Sequence, residues 1–236
     1  MSLFEALEAS RRLGRLTTGS EGIDSLLGGG LEEAKITEVF GPSNSGKTQL
    51  AIQATVMAAA RGWRSVYVDT ESTFRPERVE QIAKSRGIDS EAALDSIYSI
   101  RARDVAAQTR VLRRMEEDPR ASSAKLIVVD TVTKNFTLEF PGRERTGRRQ
   151  GALGAYLNRM AVDAYLNRRF VLLTNRVASV PKDGTSKVVD LGGLTLQKFV
   201  SRSLRLSKEG SSVYANVELP EPGTAKLCRL SERGFD

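Results

Sequence analysis

The chain has 236 residues, enough for one domain around a single large core, and 40% of them are hydrophobic, an ordinary share for a soluble globular protein. It has no histidine and one cysteine, Cys228, which excludes an internal disulfide and the common zinc, haem and catalytic-triad chemistries; any metal must rest on oxygen ligands, which favours Mg²⁺ beside a phosphate. Lys and Arg number 36 against 29 Asp and Glu, a formal charge of +7 that suits a polyanionic partner without requiring one.

Residues 1–14 are read as an N-terminal helix or arm and 15–236 as a single core domain. The opening MSLFEALEASRRLGRL is charged from Glu5 onward and lacks the apolar run of a secretory signal, and no stretch reaches the roughly 18 apolar residues of a spanning helix. A soluble, cytoplasmic protein with no membrane partner is expected. The helix predicted over Ser2 to Leu13 is expected to cover its own core or to dock on a neighbour.

Short β-branched apolar runs follow: ITEVF at 36–40, SVYVDT at 65–70, KLIVVDT at 125–131 and FVLLTN at 170–175. Between them Gln49–Arg61, Pro76–Arg86 and Leu153–Leu166 carry helical patterns, so the alternation predicts an α/β fold with a twisted, mostly parallel central sheet flanked by helices. After Lys198 the segments FVSRSLRLSKE, SSVYANVEL and TAKLCRLSER read as a C-terminal antiparallel meander. Two polar stretches, Glu139–Arg149 and Val177–Asp190, read as long irregular loops of the kind that carry function.

ITEVF runs into GPSNSGKT and then a helix, the strand, loop and helix context of a phosphate-binding loop. The candidate phosphate-binding residues are Gly41, Pro42, Ser43, Asn44, Ser45, Gly46, Lys47, Thr48 and the adjoining Gln49. Backbone N–H groups and the helix N-terminus would face phosphate oxygens, Lys47 would bring its charge to the β and γ phosphates, and Thr48 would offer a hydroxyl to Mg²⁺. Asp130, ending the run LIVVD, is where a carboxylate standing behind the Mg²⁺ shell is expected. Hydrolysis also needs a group that activates water, and both Asp69 and Glu71 lie at the end of SVYVDT; residue chemistry alone does not choose between them.

The run LTTGSEGIDSLLGGGLEEAKITEVFGPSNSGKTQL resembles the RadA branch of the RecA superfamily, the archaeal and eukaryotic strand-exchange recombinases. VDTESTFRPERVEQIA, KLIVVDTVTKNF, EFPGRERTGRRQ, LLTNRV, GGLTLQ and LSERGFD agree in the same order, so that the resemblance covers nearly the whole chain. It implies a RecA-like ATPase core acting in homologous recombination and DNA repair. Glu71 becomes the water-activating carboxylate, Lys47 and Thr48 the phosphate and Mg²⁺ contacts, Asp130 the Walker B acid, and Arg78 a residue stacking on adenine. It also implies that the two loops beyond the sheet contact DNA, through Arg143, Arg145, Arg148 and Arg149 in the first and Lys182 and Lys187 in the second. Apart from Phe140 neither loop has an aromatic, which favours contact with the phosphate backbone of single strands, double strands being the alternative.

Several positions depart from that pattern. About fifteen residues precede LTTG, where the recombinases carry a further helical domain, so that domain is expected to be absent. Phe4 is followed three residues later by Leu7 where the polymerisation segment has Ala, Lys198 replaces a histidine, and Glu218 in VELPEP lies where an Asp-x-Pro turn caps ATP. Arg176 stands in TNRV for the glutamine that senses the γ-phosphate, and arginine cannot accept a hydrogen bond. The combination resembles the single-domain archaeal RadA paralogues of the RadB kind. A nucleoid-associated accessory ATPase with slow turnover is expected, partnered by single-stranded DNA and by a RadA-type recombinase or its own copies. An ATP-binding adaptor without turnover and a complete strand-exchange enzyme remain open.

Overall fold

The computed structural model of the chain describes residues 13–182, 185–210, 212–220, 223 and 225–236, with backbone alone over 178–182 and 185–190. The helix predicted over Ser2 to Leu13 therefore lies, but for Leu13, outside the described residues. In chain order the elements are β1 (Arg15–Leu16), α1 (Glu21–Leu26), β2 (Leu31–Glu32), β3 (Ile36–Gly41), α2 (Lys47–Ala59), β4 (Ser65–Asp69), α3 (Pro76–Ser85), α4 (Ser90–Asp95) and β5 (Ile97–Arg101). There follow α5 (Val105–Glu117), α6 (Pro119–Ser122), β6 (Leu126–Asp130), α7 (Lys134–Glu139), α8 (Thr146–Leu166), β7 (Phe170–Lys182), β8 (Thr185–Asp190) and α9 (Gly193–Gln197). The chain then runs through β9 (Val200–Glu209), β10 (Ser212–Leu219), β11 (Lys226–Cys228), β12 (Leu230–Ser231) and β13 (Gly234–Phe235).

The central sheet has the order β11-β10-β9-β3-β7-β6-β4-β5. Every pairing from β5 across to β9 is parallel, whereas β9 with β10 and β10 with β11 are antiparallel. This is the α/β architecture expected from the alternating runs, with the predicted meander entering the sheet through the parallel pairing of β9 with β3.

The strands are buried on both faces, and their period of two sorts the side chains into two cores. Tyr67, Leu126, Val128, Phe170 and Leu172 pack on one side with α2 and α3, through Leu50, Ile52, Val79 and Ile82. Val66, Val68, Ile127, Val129, Val171 and Leu173 face the other side, where α5 and α8 bring Val111, Met115, Leu153, Tyr156, Leu157 and Met160. Because α2 is covered almost all round, its small Ala51, Ala54 and Ala58 allow close approach to the sheet.

Two expected loops are shorter than the sequence suggests. Val177–Asp190 forms an antiparallel ribbon, in which Val177 pairs with Asp190 and Lys182 with Thr185, rather than an irregular loop. Pro181 and Gly184 signal a turn, but the β-branched residues at 177, 180, 185, 188 and 189 favour extended backbone. Of Glu139–Arg149 only 140–145 is loop, since α8 begins at Thr146 and carries Arg148 and Arg149 on its first turn. Gly147, Gly151 and Gly154 weaken the helical signal there, and tertiary packing overrides their low propensity.

Candidate active site

The carboxyl ends of β3, β4, β6 and β7 lie side by side, and the residues at those ends make the site. β3 leads into Gly41–Gly46, and α2 starts at Lys47 with Gly46 as its N-cap at φ +95°. Helices α1, α4, α5 and α6 each close their first turn with a side chain, from Ser20, Asp89, Asp104 and Asp118. α2, like α7, α8 and α9, has no side-chain cap and no acid in its first turn, so its N-terminal N–H groups are available to an anion.

Lys47 donates to the main-chain oxygen of Pro42 at 2.7 Å, and burial first, then the charge of Arg176, depress its pKa against the pull of Asp130 and Glu71. Ser45 Oγ is buried with no hydrogen-bond partner among the described residues. An ammonium folded back on a carbonyl and a buried orphan hydroxyl both fit a phosphate ligand.

Asp130 is 1% exposed and surrounded by hydroxyls. Thr48 and Tyr67 each donate to its Oδ2 at 2.8 Å, Thr174 donates to Oδ1, and Thr73 lies 3.5 Å from Oδ2. Burial and the neighbouring carboxylate of Asp130 hold the Tyr67 phenol well above its ordinary pKa, so it remains a donor. The Thr48–Asp130 pair, a hydroxyl backed by a buried carboxylate, would suit a Mg²⁺ ion. Among the described residues no group of three or more acidic, histidine or cysteine side chains could hold a metal on its own.

The structure separates the two acids that follow β4. Asp69 Oδ1 accepts from the N–H groups of Glu71 and Thr73, at 3.1 and 3.2 Å, and Oδ2 from that of Phe74 at 3.2 Å, so this carboxylate shapes the turn. Glu71 has its Oε1 buried with no hydrogen-bond partner, while Oε2 meets Arg176 Nη2 at 2.6 Å and Lys134 Nζ at 3.7 Å. Glu71 is thus the acid with a free oxygen. Lys134 also donates to Thr70 O at 2.5 Å, and it was not singled out from the sequence. Its place four residues after Asp130, beyond the carboxyl end of the same strand, was the signal available.

Arg78 lies on α3, where four hydrogen bonds hold its guanidinium. Nε donates to Gln49 Oε1 at 2.5 Å, Nη1 to Gln81 and to Glu232 O at 2.9 Å, and Nη2 to Ser231 O at 2.8 Å. The β12–β13 hairpin that supplies those carbonyls is itself fastened to α2. Gln53, fully buried, donates to Phe235 O at 2.9 Å and accepts from Phe235 N at 2.6 Å. A methyl group on Gly46 would lie 2.5 Å from the Phe235 ring, so the hairpin abuts the loop that precedes α2.

The Rad51 family model matches residues 10–205. The chain belongs to the Rad51 family. It is 41% identical over 180 residues to the DNA repair and recombination protein RadA of Ignicoccus hospitalis, covering 72% of this chain and 55% of that protein. To the DNA repair and recombination protein RadA of Aeropyrum pernix it is 40% identical over 178 residues, 73% of this chain and 56% of that one. The chain spans about half the length of these curated relatives.

Within this Rad51-family core, the basic residues read as DNA contacts occupy two places. Arg143, Arg145 and Arg148 are exposed around the start of α8. Arg149 is turned inward, donating to Phe140 O at 2.9 Å and to Thr146 Oγ1 at 3.2 Å, so it closes the 140–145 loop. Lys182 and Lys187 fall on the two strands of the ribbon, and their side chains lie outside the described residues. Arg176 is at the foot of that ribbon: it is the last residue of β7 to pair with β3, opposite Gly41, and its carbonyl accepts from Leu191 N at 2.9 Å. Glu218, near the expected ATP cap, lies 3.8 Å from Arg205 on the neighbouring strand. No described helix is long and apolar enough to cross a membrane.

Proposed function

We propose that the chain is a Mg²⁺-dependent ATPase that binds single-stranded DNA and serves recombination and repair as a slow-turnover accessory to a RadA-type recombinase or to its own copies. The observation that carries this reading is the Thr48–Asp130 hydrogen bond beneath an uncapped helix N-terminus, with Glu71 one strand away. Lys47 and the N–H groups of α2 hold the phosphates, and Arg78 presents a flat guanidinium to the adenine. Thr48, with Asp130 accepting from its hydroxyl, would hold Mg²⁺, which would supply positive charge to the phosphate oxygens. Glu71 takes a proton from water whose oxygen bonds to the γ phosphorus while the bond to the bridging oxygen of ADP breaks.

The names of the RadA relatives, DNA repair and recombination proteins, support the DNA-linked role. Phosphate release measured with and without single-stranded DNA tests it: stimulation joins the site to the basic residues, and a rate indifferent to DNA counts against the coupling. The Arg176–Glu71 ion pair favours a second reading, in which ATP is a structural ligand of an adaptor. Binding would then raise thermal stability with no phosphate released.

Arg143, Arg145 and Arg148 are proposed to meet DNA phosphates. Replacing all three by Ala should weaken single-strand binding and reduce the slope of log affinity against log salt by about 2, at about 0.7 per lost phosphate contact. Affinity and slope equal to the unsubstituted protein's, in a salt titration by fluorescence anisotropy, would show that the DNA lies elsewhere.

A further inference from the structure

The end of the sheet away from the phosphate loop has a charge pattern of its own. Lys35, Arg64 and Lys125 each stand immediately before a parallel strand, β3, β4 and β6, and Arg168 and Arg169 stand before β7. Main-chain hydrogen bonds join these positions into one edge: Lys125 N donates to Arg64 O at 2.9 Å, Phe170 N to Lys125 O at 2.8 Å, and Val171 N to Lys35 O at 3.3 Å. The strand order β3-β7-β6-β4 sets Lys35 and Arg64 three strand spacings apart, about 14 Å at about 4.8 Å each, with Lys125 between them. Beyond β4 the row stops, because Asp95 and Ser96 precede β5.

The acids in contact with this edge are already committed. Glu33 pairs with Arg168 at 2.6 Å and Asp163 with Arg169 at 3.3 Å. Lys35, Arg64 and Lys125 have no acidic partner among the described residues; Lys35 and Arg64 are exposed and Lys125 is half-buried. A surface that only keeps a chain soluble mixes both signs, whereas unpaired cations on a rigid backbone fit a polyanion. The ring of Trp63, beside Arg64, stacks on Phe170 at 5.6 Å and has the Arg61 guanidinium 5.1 Å from its centroid, so it is taken up by its neighbours rather than offered to a base. Such an edge suits phosphates more than unstacked bases, which favours a duplex over a single strand. Its length is close to the roughly 12 Å width of the major groove, whose two walls carry the phosphates of opposite strands.

We propose that the amino edge of the sheet, at Lys35, Lys125 and Arg64, is a separate nucleic-acid surface that holds the backbones of duplex DNA. Strands β4 and β6, of five residues each, separate it by about 17 Å, at about 3.3 Å per residue, from the carboxyl edge where the nucleotide would bind. The proposal depends neither on ATP turnover nor on the single-strand role of Arg143, Arg145 and Arg148.

The test is a salt titration of a labelled duplex by fluorescence anisotropy, using the full chain without nucleotide. Changing Lys35→Gln, Arg64→Gln and Lys125→Gln together should weaken duplex binding about tenfold or more at low salt. The slope of log affinity against log salt should fall by about 0.9 for each lost contact. Single-strand affinity and the thermal-shift gain from Mg·ATP should stay as they were, which shows that the variant is folded. The charge-conserving set Lys35→Arg, Arg64→Lys and Lys125→Arg should bind duplex like the unsubstituted protein. Duplex affinity and slope unchanged in the glutamine set overturn the proposal and leave the single-strand reading standing. Duplex binding lost equally when Arg143, Arg145 and Arg148 are replaced by Ala also overturns it, since a single site would then serve both. Poly-glutamate that displaces the duplex at equal charge concentration would assign the edge to an acidic protein segment and overturn the duplex assignment.

Discussion

Glu71→Gln should lower ATP turnover by about 10²- to 10⁴-fold, the usual contribution of a positioned general base, while ATP still stabilises the protein against heat. The substitution keeps the side-chain shape and one carbonyl oxygen, so Lys134 retains an acceptor, but the amide cannot take a proton from water. Glu71 rather than Asp69 is the residue to change because the Asp69 carboxylate already accepts three main-chain N–H groups and shapes the turn on which Glu71 sits. Single-turnover phosphate release on the purified variant gives the comparison. A rate within about threefold of the unsubstituted protein's would place the base elsewhere, since a general base supplies far more than that.

The second large effect is expected at Gly46. Its φ of +95° is strained for any residue with a Cβ, at about 1–2 kcal/mol. An added methyl would also lie 2.5 and 3.0 Å from two carbons of the fully buried Phe235 ring. Overpacking of this kind costs about 1–3 kcal/mol. Gly46→Ala should therefore lose about 2–5 kcal/mol in urea denaturation and should no longer gain thermal stability from Mg·ATP. An unchanged urea midpoint would mean that the ring yields freely and that the hairpin does not brace the loop.

These two residues show how far the site was legible before its geometry was known. The phosphate loop and Asp130 are local patterns: a β-branched run followed by glycines and a lysine, and an acid ending an apolar run. The four strands that carry them were read for the same reason, since burial on both faces leaves continuous apolar runs. Roles set by distant partners were not legible. Nothing near Arg149 shows that it spends its guanidinium on Phe140 and Thr146, and the Glu71–Arg176 contact joins residues 105 positions apart. The edge strand Ile97–Arg101 is not legible in the sequence because IYSIR is only partly buried and carries no unbroken apolar run. The start of α8 was hidden by its glycines, and the ribbon by Pro181 and Gly184, where local propensity and tertiary structure disagree.

The hairpin on α2 bears on how the protein is made. Gln53, in the helix that begins with Lys47, finds its partners 182 residues later in Phe235, and Ser20 donates to Asp236 O across 216 residues. Arg78 takes two of its acceptors from Ser231 and Glu232. The phosphate loop thus emerges from the ribosome well before the carbonyls that fix Arg78 and the ring that braces Gly46. A nascent chain has no finished nucleotide pocket until residue 235 has been added, so the site forms only after the sheet between its two halves of sequence can fold.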